Sequence, residues 1–204
     1  MPMMPAEGEG LCSPHLQRTK ASRSIRGFRN SRHPSYAPAG RSSHRAMPGF
    51  TQVVRIGPTA IQHVRKHRQI RPQSSEAGGQ LFGSITTDEV TISVATGLYK
   101  NDGRGRYHYR SNPEAAQSAI ERHARTGHLY LGDWHTHAES VPQTSLDDVD
   151  AMARLVAKSA LNSDAILMLI VGQSEGIDGL RLKTVGRFRS DDWVLLQVTG
   201  SFGG

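Results

Sequence analysis

Gly132-Asp133-Trp134-His135-Thr136-His137 is followed, after a polar loop holding Pro142, by Ser145-Leu146-Asp147-Asp148. Leu129 to Trp134 has the make-up of a short strand. If extended backbone persists through His137, both imidazoles point to one face, because side chains alternate with period two. Val149, Met152, Ala153, Val156 and Ala160 form a helical stripe that begins just after Ser145. A strand running through a loop into this helix turns Asp148, on the first helical turn, back towards the histidines. Two His and one carboxylate make the donor set of a catalytic zinc (Zn2+) site, which uses three protein ligands and keeps the fourth position for water. Ser145 lies three residues before Asp148 and addresses the same point, whereas Asp147 and Asp150 point elsewhere. Ser-x-x-Asp is also a helix-capping pattern, so capping and a role at the site are both open for Ser145.

Working outward, Ala165 to Val171 is a continuous apolar run between Asp164 and Gly172, as expected of a strand buried on both faces at the centre of a sheet. Gly179 to Phe188 and Trp193 to Val198 are further strand candidates. Upstream, Asn112-Pro113-Glu114 is a helix-start signal, and Ala116, Ala119, Ile120 and His123 share one face before Gly127 ends the run. Gln80 to Thr86 and Glu89 to Thr96 read as a hairpin, and Pro58 with Ile61 and Val64 predicts a helix over about 58–70. The mixture is α/β with a central sheet.

A zinc-activated water needs a base, and Glu76, in Glu76-Ala77-Gly78-Gly79-Gln80-Leu81-Phe82-Gly83, stands at the start of a strand with two glycines that permit close backbone approach. Glu114 and Glu121 are rivals on composition, although the helix-start position of Glu114 already accounts for it through the helix dipole. Tyr107-His108-Tyr109-Arg110-Ser111 fits either the wall of a channel for an extended peptide or a plain edge strand, and 97–106 reads as a flexible loop. The terminal Ser201-Phe202-Gly203-Gly204 is close to chance in a chain with 21 glycines.

The formal charge of +7 is misleading as a nucleic-acid signature, because residues 1–50 carry 8 Lys/Arg against 2 Asp/Glu and the remainder is nearly balanced, 17 against 16. Residues 1–48, rich in Pro, Ser and Arg, cannot bury enough apolar surface to fold and are expected to form a disordered basic tail. Almost no aromatics interleave there to stack on bases, which argues against nucleic acid as a partner. The single cysteine, Cys12, excludes intrachain disulfides and Cys-ligated structural zinc, and with it a zinc nucleobase deaminase, which needs Pro-Cys-x-x-Cys. The longest apolar run falls far short of the roughly 18 residues of a membrane span, and the acidic N-terminus without an apolar core is not a secretory signal. No membrane association and a cytoplasmic location are therefore expected.

Glu76-Ala77-Gly78-Gly79 with Phe82-Gly83, then His135-Thr136-His137 and Ser145-x-x-Asp148, resembles in order and spacing the motif of the JAMM (JAB1/MPN/Mov34) metalloprotease family. The resemblance spans about 52–188 and is nearest the prokaryotic JAB branch, which includes peptidases of bacterial CBASS antiviral operons. It implies a single JAB1/MPN-type domain over 49–200, with a central mixed β-sheet flanked by helices in a cytidine-deaminase-like arrangement. It also implies that His135, His137 and Asp148 bind zinc, that Glu76 is general base and then acid, and that Ser145 hydrogen-bonds the developing oxyanion. The implied substrate is a bond after the C-terminal glycine of a ubiquitin-like protein, or of a nucleotidyltransferase conjugated by E1-like and E2-like enzymes. A metal-free MPN-like scaffold and a sulfur-carrier-processing peptidase are the alternatives. Ala138 departs from the family, which usually has proline after the second histidine.

Overall fold

The computed structural model describes residues 52–161, 163–187 and 189–196. Its elements run β1 (Val53–Ile56), α1 (Pro58–Arg65), β2 (Gly78–Ile85), β3 (Glu89–Ala95), β4 (Gly103–Arg104), β5 (Tyr109–Arg110) and α2 (Pro113–Arg125). They continue with β6 (Leu129–Thr136), α3 (Leu146–Lys158), β7 (Ala165–Val171), a 3-10 turn (Ile177–Gly179), β8 (Leu180–Gly186) and β9 (Ser190–Trp193). Seven strands form one mixed sheet in the order β1-β3-β2-β6-β7-β8-β9, and β4 pairs with β5 as a separate ribbon. The β1–β3 and β6–β7 pairs are parallel and the others antiparallel.

The sheet is covered on both sides. Leu167, Leu169 and Val171 of β7 join Val54, Leu81, Ile92 and Leu182 under Ala60 and Val64 of α1. The alternate residues Ile166, Met168 and Ile170 join Phe82 and Val185 under Ala119 and Ile120 of α2 and Met152 and Val156 of α3. Two-sided burial is why β7 reads as an unbroken apolar run. Each such side chain contributes about 1.5–3 kcal/mol of transfer free energy. No helix among the described residues is long and apolar enough to cross a membrane.

Local chemistry sets the element ends. Asn112 caps α2, its side chain accepting from Ala115 N at 2.9 Å, and Gly127 takes φ +82° just past its end. The β2–β3 turn closes through Thr86, whose N–H donates to Glu89 O at 2.8 Å and whose hydroxyl accepts from Glu89 N at 3.1 Å.

Three expectations need correction. The first helix stops at Arg65 rather than near residue 70, because Gln69, fully buried, is drawn out of the helix to donate to Ser74 O and Arg106 O. Among the described residues the last strand is Ser190–Trp193, and 194–196, expected within a strand over Trp193–Val198, are not strand; Lys183 pairs with Asp192 at 2.8 Å across the ladder, which lets a polar segment serve as an edge. The loop expected over 97–106 contains β4. Residues 1–48, Phe188 and the stretch from 197 onward lie outside the described residues.

Candidate active site

The site begins with an irregularity in β6. On β2, Leu81 pairs with Gly132 but the next residue, Phe82, pairs with Tyr130, so Leu131 is an extra residue in a β-bulge. Strict alternation from Tyr130, which packs with α2 and α3, would send His135 and His137 to the α1 face. After the bulge it is Trp134 that is buried on the α1 side, against His63 and His67. His135 and His137 accordingly face α3. Gly132 makes this possible: its φ is +142°, and a Cβ there would lie 1.9 Å from Leu167 O.

Three donors converge on that face. His135 Nε2 and His137 Nε2 are 3.0 Å apart, and Asp148 Oδ1 and Oδ2 lie 3.4 and 3.5 Å from them respectively. Tetrahedral ligation at about 2.0–2.2 Å separates neighbouring donors by roughly 3.3–3.6 Å; the two His–Asp separations match this and the His–His separation falls a few tenths of an ångström short, so small side-chain shifts bring the donor set to what a zinc ion takes. His135, His137 and Asp148 could hold a metal among the described residues. Asp147 and Asp150 are exposed and stand outside this group, as do Glu114 and Glu121 on α2.

Asp148 is aimed by its own helix end. Ser145 Oγ accepts from Asp148 N at 3.1 Å, and Asp148 Oδ2 accepts from Ser145 N at 3.1 Å, a complete capping box. The Ser145 residue is exposed, and its hydroxyl accepts in the cap while lying close enough to the Asp148 carboxylate to donate to it. Burial alone would raise the Asp148 pKa, but hydrogen bonds from His135, His137 and Ser145 hold it far below the usual carboxylate range. Burial would lower His137, but Asp148 and Glu76 outweigh it and hold the imidazole up.

Glu76 reaches the same place from β2. Gly78 pairs with His135, so the register continued by two residues sets Glu76 opposite His137. Thr136 fixes this extension, donating its N–H to Ala77 O at 2.8 Å while its hydroxyl accepts from Ala77 N at 2.9 Å. Glu76 N donates to Gly105 O and its carbonyl accepts from Arg104 Nε, both at 2.7 Å. The side chain is 7% exposed, and burial, reinforced by Asp148 and opposed by His137, pushes its pKa up to about 7. Both glycines beside it are closely approached: a Cβ on Gly78 would meet the Tyr109 ring at 2.4 Å, and one on Gly79 would meet Thr96 O at 1.8 Å.

Two supporting residues had no sequence signal. Gln69 accepts from Thr136 Oγ1 at 3.3 Å and ties the 74–76 loop and the β4–β5 ribbon to the histidine strand. Asp133, on the face of His135, accepts from Tyr130 OH at 2.8 Å, and burial pushes its pKa up to about 6 against the hydrogen bonds of Tyr130 and Gln80.

This arrangement of sheet and helices is shared with a protein of Desulfitobacterium hafniense whose solution structure superposes with a TM-score of 0.51 at 20% identity, covering 69% of this chain and 89% of that one. Residues 59–183 match the family described as prokaryotic homologs of the JAB domain, and the chain belongs to that family. Among its relatives, a Vibrio cholerae protein named CD-NTase/cGAS isopeptidase is 29% identical over 122 residues, spanning 56% of this chain and 73% of the relative. A Pseudomonas aeruginosa protein of the same name is 33% identical over 119 residues, spanning 57% and 75%.

Proposed function

We propose that the protein is a zinc-dependent isopeptidase that hydrolyses the bond after the C-terminal glycine of a ubiquitin-like protein, or of a CD-NTase conjugated in the same manner. The observation that carries this reading is the convergence of His135, His137 and Asp148 within ligand spacing beside a buried Glu76. Relatives named for a CD-NTase/cGAS isopeptidase support the substrate class. E1-like and E2-like enzymes, acting in antiviral defence, are the partners this reading requires, and the cytoplasm is the compartment. Residues 49–200 form the catalytic domain and 1–48 a basic appendage.

Bound by His135, His137 and Asp148, zinc supplies a Lewis acid that lowers the pKa of water towards about 7. Glu76, in its carboxylate form, accepts the proton of the attacking water and delivers it to the departing amine. A carboxyl poised near 7 suits both transfers. The Ser145 hydroxyl donates to the charge developing on the scissile carbonyl oxygen. The capping box keeps Asp148 and Ser145 in fixed relation through both steps, and the bulge at Gly132 keeps both imidazoles on the side where that charge develops.

The test is cleavage by full-length, zinc-loaded protein of a synthetic isopeptide in which a Gly-Gly carboxyl terminus acylates a lysine ε-amine, alongside the free linear peptide. Cleavage lost in Glu76→Gln supports the reading. Zinc-loaded wild type that hydrolyses neither this substrate nor a CD-NTase conjugate would favour a scaffold instead.

A further inference from the structure

Beyond the histidines, β6 presents a third side chain to the same face. Asp133 stands one step from His135, about 6.6–6.8 Å along the strand. A cavity of about 110 Å³ opens there, lined by Gln80, Ser111, Tyr130 and Asp133 and closed by Ala116 and Ile120 of α2. That is the volume of three to four waters at roughly 30 Å³ each, room for the end of a side chain.

The polar lining is built and directional. Tyr130 OH donates to Asp133 Oδ1, and Gln80 Nε2 lies 3.5 Å from that oxygen and 3.5 Å from Ser111 Oγ. Gln80 is 3% exposed, with Oε1 committed to Tyr99 OH at 2.7 Å. Asp133 Oδ2 accepts no hydrogen bond within the described residues, and no Lys, Arg or His among them forms an ion pair with this carboxylate. A largely buried carboxylate held by neutral donors through one oxygen, at the wall of a cavity and with its other oxygen without a donor among the described residues, is completed by an incoming cation.

We propose that this cavity is a specificity subsite for the positively charged end of a substrate lysine or arginine adjoining the scissile bond. The adjacency to the bond rests on the hydrolase reading; the cation preference rests on the Asp133 carboxylate and its place at the cavity wall.

The experiment has two arms on full-length, zinc-loaded protein. In the first, n-butylammonium and n-butylguanidinium are titrated and followed at the Asp133 carboxyl carbon by NMR, with n-butanol as the uncharged control. Saturable binding of a cation, absent for butanol, weakened at least about 10-fold by Asp133→Asn and retained by Tyr130→Phe, is expected. No saturable response at Asp133 in the wild type would overturn the subsite whether or not the variant folds, and so would cation binding that Asp133→Asn leaves unchanged. In the second, Gly-Gly isopeptides carrying arginine, norleucine or glutamate beside the bond are compared. A kcat/KM preference for arginine over norleucine of about 30-fold or more, collapsing in Asp133→Asn, is expected for a desolvated charge pair. Equal turnover of arginine and norleucine substrates would overturn the proposal. Cation binding dependent on Asp133, with no isopeptide cleaved, would uphold the subsite and refute the hydrolase reading.

Discussion

Replacing Gly132 by alanine strikes the feature that decides which face carries the histidines. At φ +142° an L-residue is strained by about 1–3 kcal/mol. The new Cβ would also lie 1.9 Å from Leu167 O and 2.7 Å from Leu167 N, so β6 and β7 must part where they pair in parallel, at Gly132 and Leu167. Losing two ladder hydrogen bonds at about 1 kcal/mol net each brings the total to about 3–5 kcal/mol. For a domain of this size that is a fall in Tm of roughly 6–20 °C. The alternative relaxation abolishes the bulge and flips the phase of every later residue in β6, carrying His135 and His137 to the α1 face. The assay is thermal unfolding in chelator, which isolates the fold from the metal, together with zinc content after reloading. Both should fall. A Gly132→Ala protein that unfolds within about 2 °C of wild type and loads full zinc would refute the claim that the bulge sets the site, given the strain expected at this φ.

Ser145→Ala is expected to keep its zinc, lose about 1 kcal/mol of stability with the cap, and lower kcat by about 10²–10³; loss of zinc from the folded variant would make Ser145 a structural element of the metal site instead. Glu76→Gln should bind zinc normally and lose about 10²-fold or more in kcat, and an active variant would remove Glu76 as the base. His67, whose pKa burial pushes down to about 4 with help from the charges of His63, Lys66 and Arg104, gives a pH dependence remote from the zinc ligands. Above its ordinary value near 6.5 the group is neutral in both states; as pH falls from 6.5 towards 4 the unfolded chain takes a proton that the folded chain refuses, so stability is lost over that window. The urea midpoint of His67→Phe relative to wild type should therefore rise on acidification from pH 7.5 to 5, and a pH-independent difference would contradict this sign.

What the sequence made legible follows from which signals are local. The β7 run and the α3 stripe are written in consecutive residues, and the observed elements match them because both depend only on period and burial. Ser145 and Asp148 were legible as a pair because three-residue spacing suffices to bring them together on a helix. The common face of His135 and His137 was legible because both follow the bulge; the identity of that face was not, since it turns on a register slip between two strands fifty residues apart. A glycine inside the strand was the available hint. β1 is four residues long and takes its place only through its parallel partner β3. The reach of Gln69 to Thr136, across 67 residues, leaves no periodic trace at all. The polar run Ser190-Asp191-Asp192 misled strand reasoning because its compensation, Lys183, lies on the neighbouring strand.

The most direct test of the central claim is zinc per chain, measured by elemental analysis of metal-replete protein in wild type, Glu76→Ala and Asp148→Ala. About one zinc in wild type and in Glu76→Ala, lost in Asp148→Ala, is the result expected if His135, His137 and Asp148 hold the ion and Glu76 acts on the water beside it. A folded wild type without zinc under those conditions, or full zinc in Asp148→Ala, would contradict it.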